Sequence, residues 1–499
     1  MDTERLAPGI QAGAYRLTKS VGLLAIVASA VAGEYGAGIN FVAVQALGVY
    51  PAARGLVPLA MLVTGLLLVT KTHLFARFSA VLPRSGSAYV WIARTLGMPA
   101  GFVVSFLWWL SVTAAMGFIA FAFSSFLSEA ISGLGLPGAV LLTSAGRLVL
   151  GLGAIWTIFA IHAFGVHNYG RFVSVLLGLI IATAAIIVIY GFATPPAHFV
   201  ALAASRARIA IIPPAHDQPG SFGAFLSVCT LFVFAYGGIS AAPALGGEAR
   251  DAARVMPRGV VLGWLVALVL YTLVSFALFH AAPWWAITAL IAGKHTTLAT
   301  APGLVGLLAP HWLGVALEFA VALIVGKTLG PQMMTTSRLV FAWGQDGMLP
   351  AVFGQTSARH VPLAALLLTA GLASLFLVQS VAIGWALGVV IRAFSLLLIW
   401  LLLAVGALRL TGQGARAPAW AGGLGREPAV IAAAVVSVLV TLVLIASIAV
   451  LPHTALPFQP LFQSAIAALV AIGLLVRARS RAAARGDTLA IIAARIPVE

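Results

Sequence analysis

Apolar residues run along this chain in long blocks, each separated from the next by a short polar or basic stretch. The blocks reach ~20 residues or more, the length an α-helix needs to cross a hydrocarbon core of about 30 Å. They are too long and too evenly apolar for barrel strands. Twelve spans are predicted, at 20–47, 54–76, 99–128, 147–166, 171–193, 221–246, 258–281, 311–341, 361–380, 383–408, 429–451 and 459–476. The expected fold is an all-α polytopic membrane protein.

Two spans are interrupted. The first contains Gly33-Glu34-Tyr35-Gly36-Ala37-Gly38-Ile39-Asn40. Each glycine costs a helix about 1 kcal/mol against alanine, and a carboxylate at membrane depth costs about 2.5–3.5 kcal/mol more. The sixth contains Phe234-Ala235-Tyr236-Gly237-Gly238-Ile239-Ser240-Ala241-Ala242-Pro243. Interruptions at matching positions of two five-span halves are the pattern of a transporter built from inverted repeats. A broken helix leaves backbone groups unpaired, and in hydrocarbon these need a ligand, an ion or water. The N–H ends suit a carboxylate and the C=O ends suit an ammonium or a cation, so such a pair fits a small zwitterion. The alternative is that the glycines serve only close helix packing.

Composition agrees. The chain has 499 residues, 62% hydrophobic and 8% charged, against about a quarter charged in a soluble domain. One cysteine, Cys229, excludes an internal disulfide and a cysteine-based metal cluster. The net charge of +16 does not point to nucleic acid, because the basic residues are spread over short loops. About 21 of the 28 Lys and Arg fall in segments that are cytoplasmic if the N-terminus is inside. This asymmetry predicts both termini in the cytoplasm of a plasma-membrane protein. The N-terminal apolar run is too long for a signal peptide's apolar region and reads as the first span.

The predicted organisation is a cytoplasmic N-terminus at 1–19 (Arg5, Arg16, Lys19), five spans over 20–193, an external loop at 194–220 and five spans over 221–408. A glycine-rich cytoplasmic linker at 409–428, two further helices over 429–476 and a basic tail at 477–499 complete it. The tail, with Arg477, Arg479, Arg481 and Arg485, reads as a topology signal that also touches anionic lipid. The external loop 282–310 is expected to form a short helix or cap.

Besides Glu34, three ionisable residues are expected within spans: Glu318, Lys327 and Arg392. Such residues face a cavity or a partner. Glu318 precedes Lys327 by nine residues, or about 2.5 turns, so the two lie on opposite faces and Glu318 belongs to an outer rim. Arg392 caps carbonyls or pairs within its helix. Glu34 holds a cationic group of a substrate, carries a coupling proton, or is a fixed partner of Lys327 or Tyr236. Tyr35, Trp108, Trp109 and Tyr236 either line a pocket or pack. His162, His167, His280, His295 and His311 show no metal-ligand spacing, and no cofactor is implied. There is no phosphate-binding loop and no polar cluster suited to catalysis, which speaks against an ATP-driven pump and against an enzyme.

Several stretches, in order, resemble the amino acid–polyamine–organocation permeases. Gly36-Ala37-Gly38-Ile39 is similar to the signature of their first helix. Pro83-Arg84-Ser85-Gly86-Ser87-Ala88-Tyr89 with Arg94 resembles their loop after helix two. Phe234-Ala235-Tyr236-Gly237-Gly238, then Glu248, Asp251, Arg254, Pro257 and Arg258, resembles helix six and its exit. Arg338, Ala342, Asp346, Gly347, Leu349, Pro350 and Pro362 resemble the end of helix eight. The resemblance implies a leucine-transporter-type five-plus-five inverted repeat with two extra C-terminal helices, and transport of amino acids or related amines by alternating access. It assigns Gly36–Gly38 to a substrate carboxylate and the carbonyls of Gly33–Tyr35 and Ala235–Gly237 to its amine, with Phe234 as an aromatic gate. Where relatives that take cationic substrates often carry an acid after the helix-six glycine, this chain has Ser240. In that fold helix eight lies against broken helix one, where sodium-coupled relatives hold a sodium ion. Lys327 is then a substitute cation, carrying a coupling proton or held in a static pair with Glu34 or helix carbonyls. A solute sensor of the same fold and a polyamine carrier are the alternative functions. The oligomeric state is open.

Overall fold

The computed structural model describes residues 17–216, 219–295, 297–383, 391–449 and 459–496. Arg5, Arg16 and the first residues of the predicted tenth span lie outside them, as does the side chain of His167. Among the described residues, twelve helices are long and apolar enough to cross a membrane. They are Leu23–Val49, Pro51–Val81, Met98–Gly133, Ser144–Ala163, Tyr169–Ala193, Phe222–Glu248, Ala252–Ala281, His311–Gln345, Leu363–Ile383, Ile391–Gln413, Pro428–Ile448 and Leu461–Ala483. Each predicted span has its helix. Long exposed apolar side chains such as Val175, Ile189, Leu375, Leu439 and Leu469 point outward, as expected where lipid rather than water is the solvent.

The first span packs against the fifth and seventh and crosses the sixth. The third runs through the middle of the bundle, touching the fourth, eighth, ninth, tenth and twelfth. The eleventh and twelfth lie on the flank, the eleventh against the tenth and second and the twelfth against the third. The predicted cap is present as two short helices, Trp284–Ala292 and Ala301–Leu308, and the preceding loop holds a third, Pro196–Ala207. Thr300 caps the Ala301 helix by accepting from the Gly303 amide at 3.1 Å.

One end of the bundle is tied shut by polar contacts. The chain entering the first span pairs with the chain leaving the sixth. Ser20 and Val21 donate their amides to the Glu248 carbonyl at 3.0 and 2.9 Å, and the Arg250 amide donates back to Val21. The Glu248 carboxylate accepts from Arg338 Nη2 at 2.6 Å, and both side chains are 1% exposed. Nearby, Arg94 forks onto Asp346 with two bonds of 2.6 Å, and Tyr89 donates to the same carboxylate at 2.6 Å. Burial and that carboxylate hold the Tyr89 hydroxyl well above its usual range, so it stays a donor. The C-terminal helix Leu489–Ala494 docks here too: Arg94 Nε donates to the Arg495 carbonyl at 3.0 Å, and Arg481 to that of Met348 at 3.0 Å. The basic tail therefore contributes part of the closure at this end.

A buried ion pair punishes removal of one partner more than removal of both. Arg338→Leu should cost ~3–5 kcal/mol because it strands Glu248. The double variant Arg338→Leu/Glu248→Leu should recover part of that loss. Thermal unfolding of the purified variants in detergent checks both.

Candidate functional site

The site grows from the crossing of the first and sixth spans. A Cβ on Gly33 would stand 2.8 Å from the Gly238 carbonyl oxygen, and one on Gly238 would overlap the Gly33 backbone. Only residues without a side chain allow this approach. The glycines thus do pack, and at the same point they wall a cavity. Gly33, Trp108, Gly237, Gly238, Ser240, Pro331, Gln332, Thr335 and Arg392 enclose a volume of about 10 Å³, room for roughly one water.

The first span breaks after Glu34. Tyr35 takes an extended conformation (φ −70°, ψ 94°), and helix resumes at Ala37 with a π-helical turn over Gly38–Val42. The carbonyl end of this break is occupied. Lys327, buried, donates its ammonium to the carbonyls of Ala32 at 2.6 Å and Tyr35 at 2.8 Å. Its position has a local cause. Pro331 lacks the amide that would bond to the Lys327 carbonyl, and the eighth span kinks at Thr328 between helices His311–Lys327 and Leu329–Gln345. Of the readings open for Lys327, helix carbonyls are its hydrogen-bond partners and Glu34 is not.

Glu34 is buried, with no hydrogen-bond partner for either carboxylate oxygen among the described residues. It does not line the cavity. Its electrostatic neighbours are the ammonium of Lys71 and the backbone amide of Ile239. Lys71 is 1% exposed and lies 5.3 Å from the centre of the Phe75 ring. Tyr271, from the seventh span, bridges the two breaks: its hydroxyl is shared between the carbonyls of Glu34 and Ala235, the latter at 3.1 Å. Tyr236 packs edge-on against Tyr271 at 4.9 Å and donates to the Met61 carbonyl at 3.2 Å.

Of the predicted site residues, Gly33, Gly237, Gly238 and Ser240 meet in the cavity wall. Phe234 is beside it, under the Arg392 guanidinium at 4.8 Å. Gly36 and Gly38 face Thr328 and Ala235. Together with Ala37 they open the second half-helix, whose first amides have no acceptor one turn back. Tyr35 packs against Tyr271, with ring centres 5.9 Å apart. The sixth span does not open; from Tyr236 it tightens into 3₁₀ turns that run to Ala241 and from Pro243 to Glu248.

The sequence reading passed over Lys71, although a lysine inside the predicted second span is the same signal that marked Lys327. Pro331 announces the eighth-span kink in the same way. Tyr271, Gln332 and Thr335 carry no local signal, because tyrosine, glutamine and threonine are ordinary within polytopic helices. Glu318 is half-buried and faces Glu129 of the third span. His162 bonds the Gly330 carbonyl at 3.0 Å and stacks on Tyr169; His280 and His311 bond the carbonyls of Gly191 and Gly133. Among the described residues, no group of three His, Cys, Asp or Glu could hold a metal ion.

Comparison with known proteins returns a family profile described as amino acid permease, matched over residues 20–475. The chain is 28% identical over 316 residues to the branched-chain amino acid permease BcaP of Lactococcus lactis, covering 61% of this chain and 63% of that protein. It is 27% identical over 313 residues to the methylthioribose transporter of Bacillus subtilis, covering 60% and 61%. It is 26% identical over 341 residues to the serine/threonine exchanger SteT of Bacillus subtilis, covering 67% and 70%. The match spans less than two thirds of the first two relatives' lengths.

Gly238→Ala should push the two broken spans apart and abolish ligand-induced thermal stabilisation. Gly178→Ala, where an added Cβ meets nothing within 4 Å, should change the unfolding temperature little. Paired melting curves, with and without a saturating amino acid mixture, check both.

Proposed function

This chain belongs to the amino acid permease family, and on that premise we propose that it carries amino acids across the plasma membrane as a secondary transporter. The observation that carries the proposal is the crossing of the broken first span and the 3₁₀-tightened sixth span at Gly33 and Gly238, beside a small central cavity. A substrate that enlarges this cavity toward Gly36–Gly38 would meet the amide end of the second half-helix and backbone carbonyls of the crossing, the two polarities an α-amino acid presents. On this reading Gly36–Gly38 take the carboxylate. Gly33–Tyr35 and Ala235–Gly237 take the amine, with Ser240 in the wall and Phe234 as the gate. BcaP and SteT are named for amino acids, which supports the substrate class without naming the substrate.

The two five-span halves, 20–193 and 221–408, act as inverted repeats that rock against each other, with both termini cytoplasmic. The end closed by Arg338–Glu248 and Arg94–Asp346 is then the cytoplasmic gate, and inward opening breaks those pairs. The cycle runs as proton symport or exchange. Lys327 stands on the carbonyl end of the first half-helix, so its deprotonation and reprotonation would release and restore that end.

Purified protein in proteoliposomes preloaded with a mixture of unlabelled amino acids should accumulate at least one labelled amino acid by counterflow. Saturable binding without counterflow would contradict transport. Lys327→Ala should keep substrate binding and lose the pH dependence of flux; an unchanged pH profile would remove the coupling role.

A further inference from the structure

Arg392 has no settled role in the reading above, and its surroundings are unusual. It is the second residue of the tenth span's described helix, 4% exposed, with its side chain in the wall of the central cavity. A guanidinium remains charged in any protein environment and offers five N–H donors. Here Nε and Nη1 are buried with no acceptor. Among the described residues, no carboxylate lies within ion-pair distance of it. Of the buried acids, Glu248 is paired with Arg338, and Glu34, which is not part of the cavity wall, has Lys71 as its charged neighbour. The charge that Lys71 feels from Arg392 is repulsive. Its contacts include the Phe234 ring face at 4.8 Å and the backbone of Gly237, where an added Cβ would stand 3.7 Å from Nε and Nη2, and Tyr271 is an electrostatic neighbour.

A buried cation without a counter-charge is costly. A chain keeps one where an anion arrives during function. The same cavity presents two further open groups, the Trp108 indole N–H and the Gln332 side-chain oxygen. The cavity as it stands has room for about one water, so a substrate must displace side chains of its wall on entry, and Arg392, stacked on Phe234, is one of them. A guanidinium stacked on a movable ring can swing with it and then close on a carboxylate through two parallel N–H bonds.

We propose that Arg392 is the specificity residue for a second anionic group on the substrate, so that the preferred cargo is an α-amino acid with a side-chain carboxylate. This rests on the permease reading, in which the half-helix ends of the first span hold the α-carboxylate and amine. It runs against a cationic cargo, because an ammonium or guanidinium side chain would meet the Arg392 guanidinium in the cavity wall.

The test is competition of counterflow in proteoliposomes by glutamate and aspartate, by glutamine and asparagine, and by leucine and lysine. In the wild type the acids should compete at least ~10-fold more tightly than their own amides, since a buried donor left unpaired by an analogue discriminates strongly. Arg392→Gln should erase that ratio, weakening the acids while leaving the amides unchanged or improved, and Arg392→Lys should restore part of it. Equal competition by acid and amide in the wild type would overturn the proposal without touching the permease reading, and it needs no variant. Equal weakening of all classes in Arg392→Gln would overturn it in favour of a structural or α-carboxylate role. Absence of counterflow by every class, in protein that melts cooperatively, would overturn the permease reading and this inference with it.

Discussion

The structure depends on one constraint: a helix that ends inside a membrane must have its open backbone groups satisfied there. The first span ends at Glu34 and Tyr35, and its carbonyls would face hydrocarbon without a donor. Lys327 supplies that donor at two of them, and Tyr271 supplies it at a third while also holding Ala235 of the sixth span. The break in one helix is therefore held by a lysine from the kinked eighth span and a tyrosine from the seventh. Neither can move without exposing the break, which couples the position of those spans to the state of the site.

Charge is distributed around that break in a way that explains its neighbours. The Lys327 ammonium meets the negative end of a helix dipole. Glu34, next in line, has Lys71 and not Lys327 as its charged neighbour, so one cation accompanies the carbonyl end and a second accompanies the carboxylate. Toward the closed end, by contrast, acids and bases match one for one, Arg338 with Glu248 and Arg94 with Asp346. A gate that must open and reclose gains from paired groups that water can solvate separately. On the proposed reading a binding site gains from an unpaired one, such as Arg392, that its cargo would complete.

Much of this was legible in the sequence. The twelve spans are read from apolar run length alone, and the paired interruptions point to the crossing of the first and sixth spans because glycine and proline act on the local backbone. What the sequence left out is what depends on three-dimensional facing. Glu34 has Lys71 rather than Lys327 as its charged neighbour, a matter of how separate spans pack around the first, which no spacing rule reports. The sixth span reads as broken but continues as 3₁₀ helix, since a pair of glycines permits a tighter helix as readily as an open one. The cavity wall recruits Trp108, Gln332 and Thr335 from spans far apart in the chain, through packing that leaves no periodic trace.

The central claim is that the ammonium of Lys327 occupies the carbonyl end of the broken first helix in place of a bound metal cation. Its most direct measurement is amino acid counterflow at fixed pH with external and internal sodium replaced by choline. The account predicts unchanged initial rates and unchanged apparent affinity across that replacement in the wild type. A steep loss of either on removing sodium would contradict it.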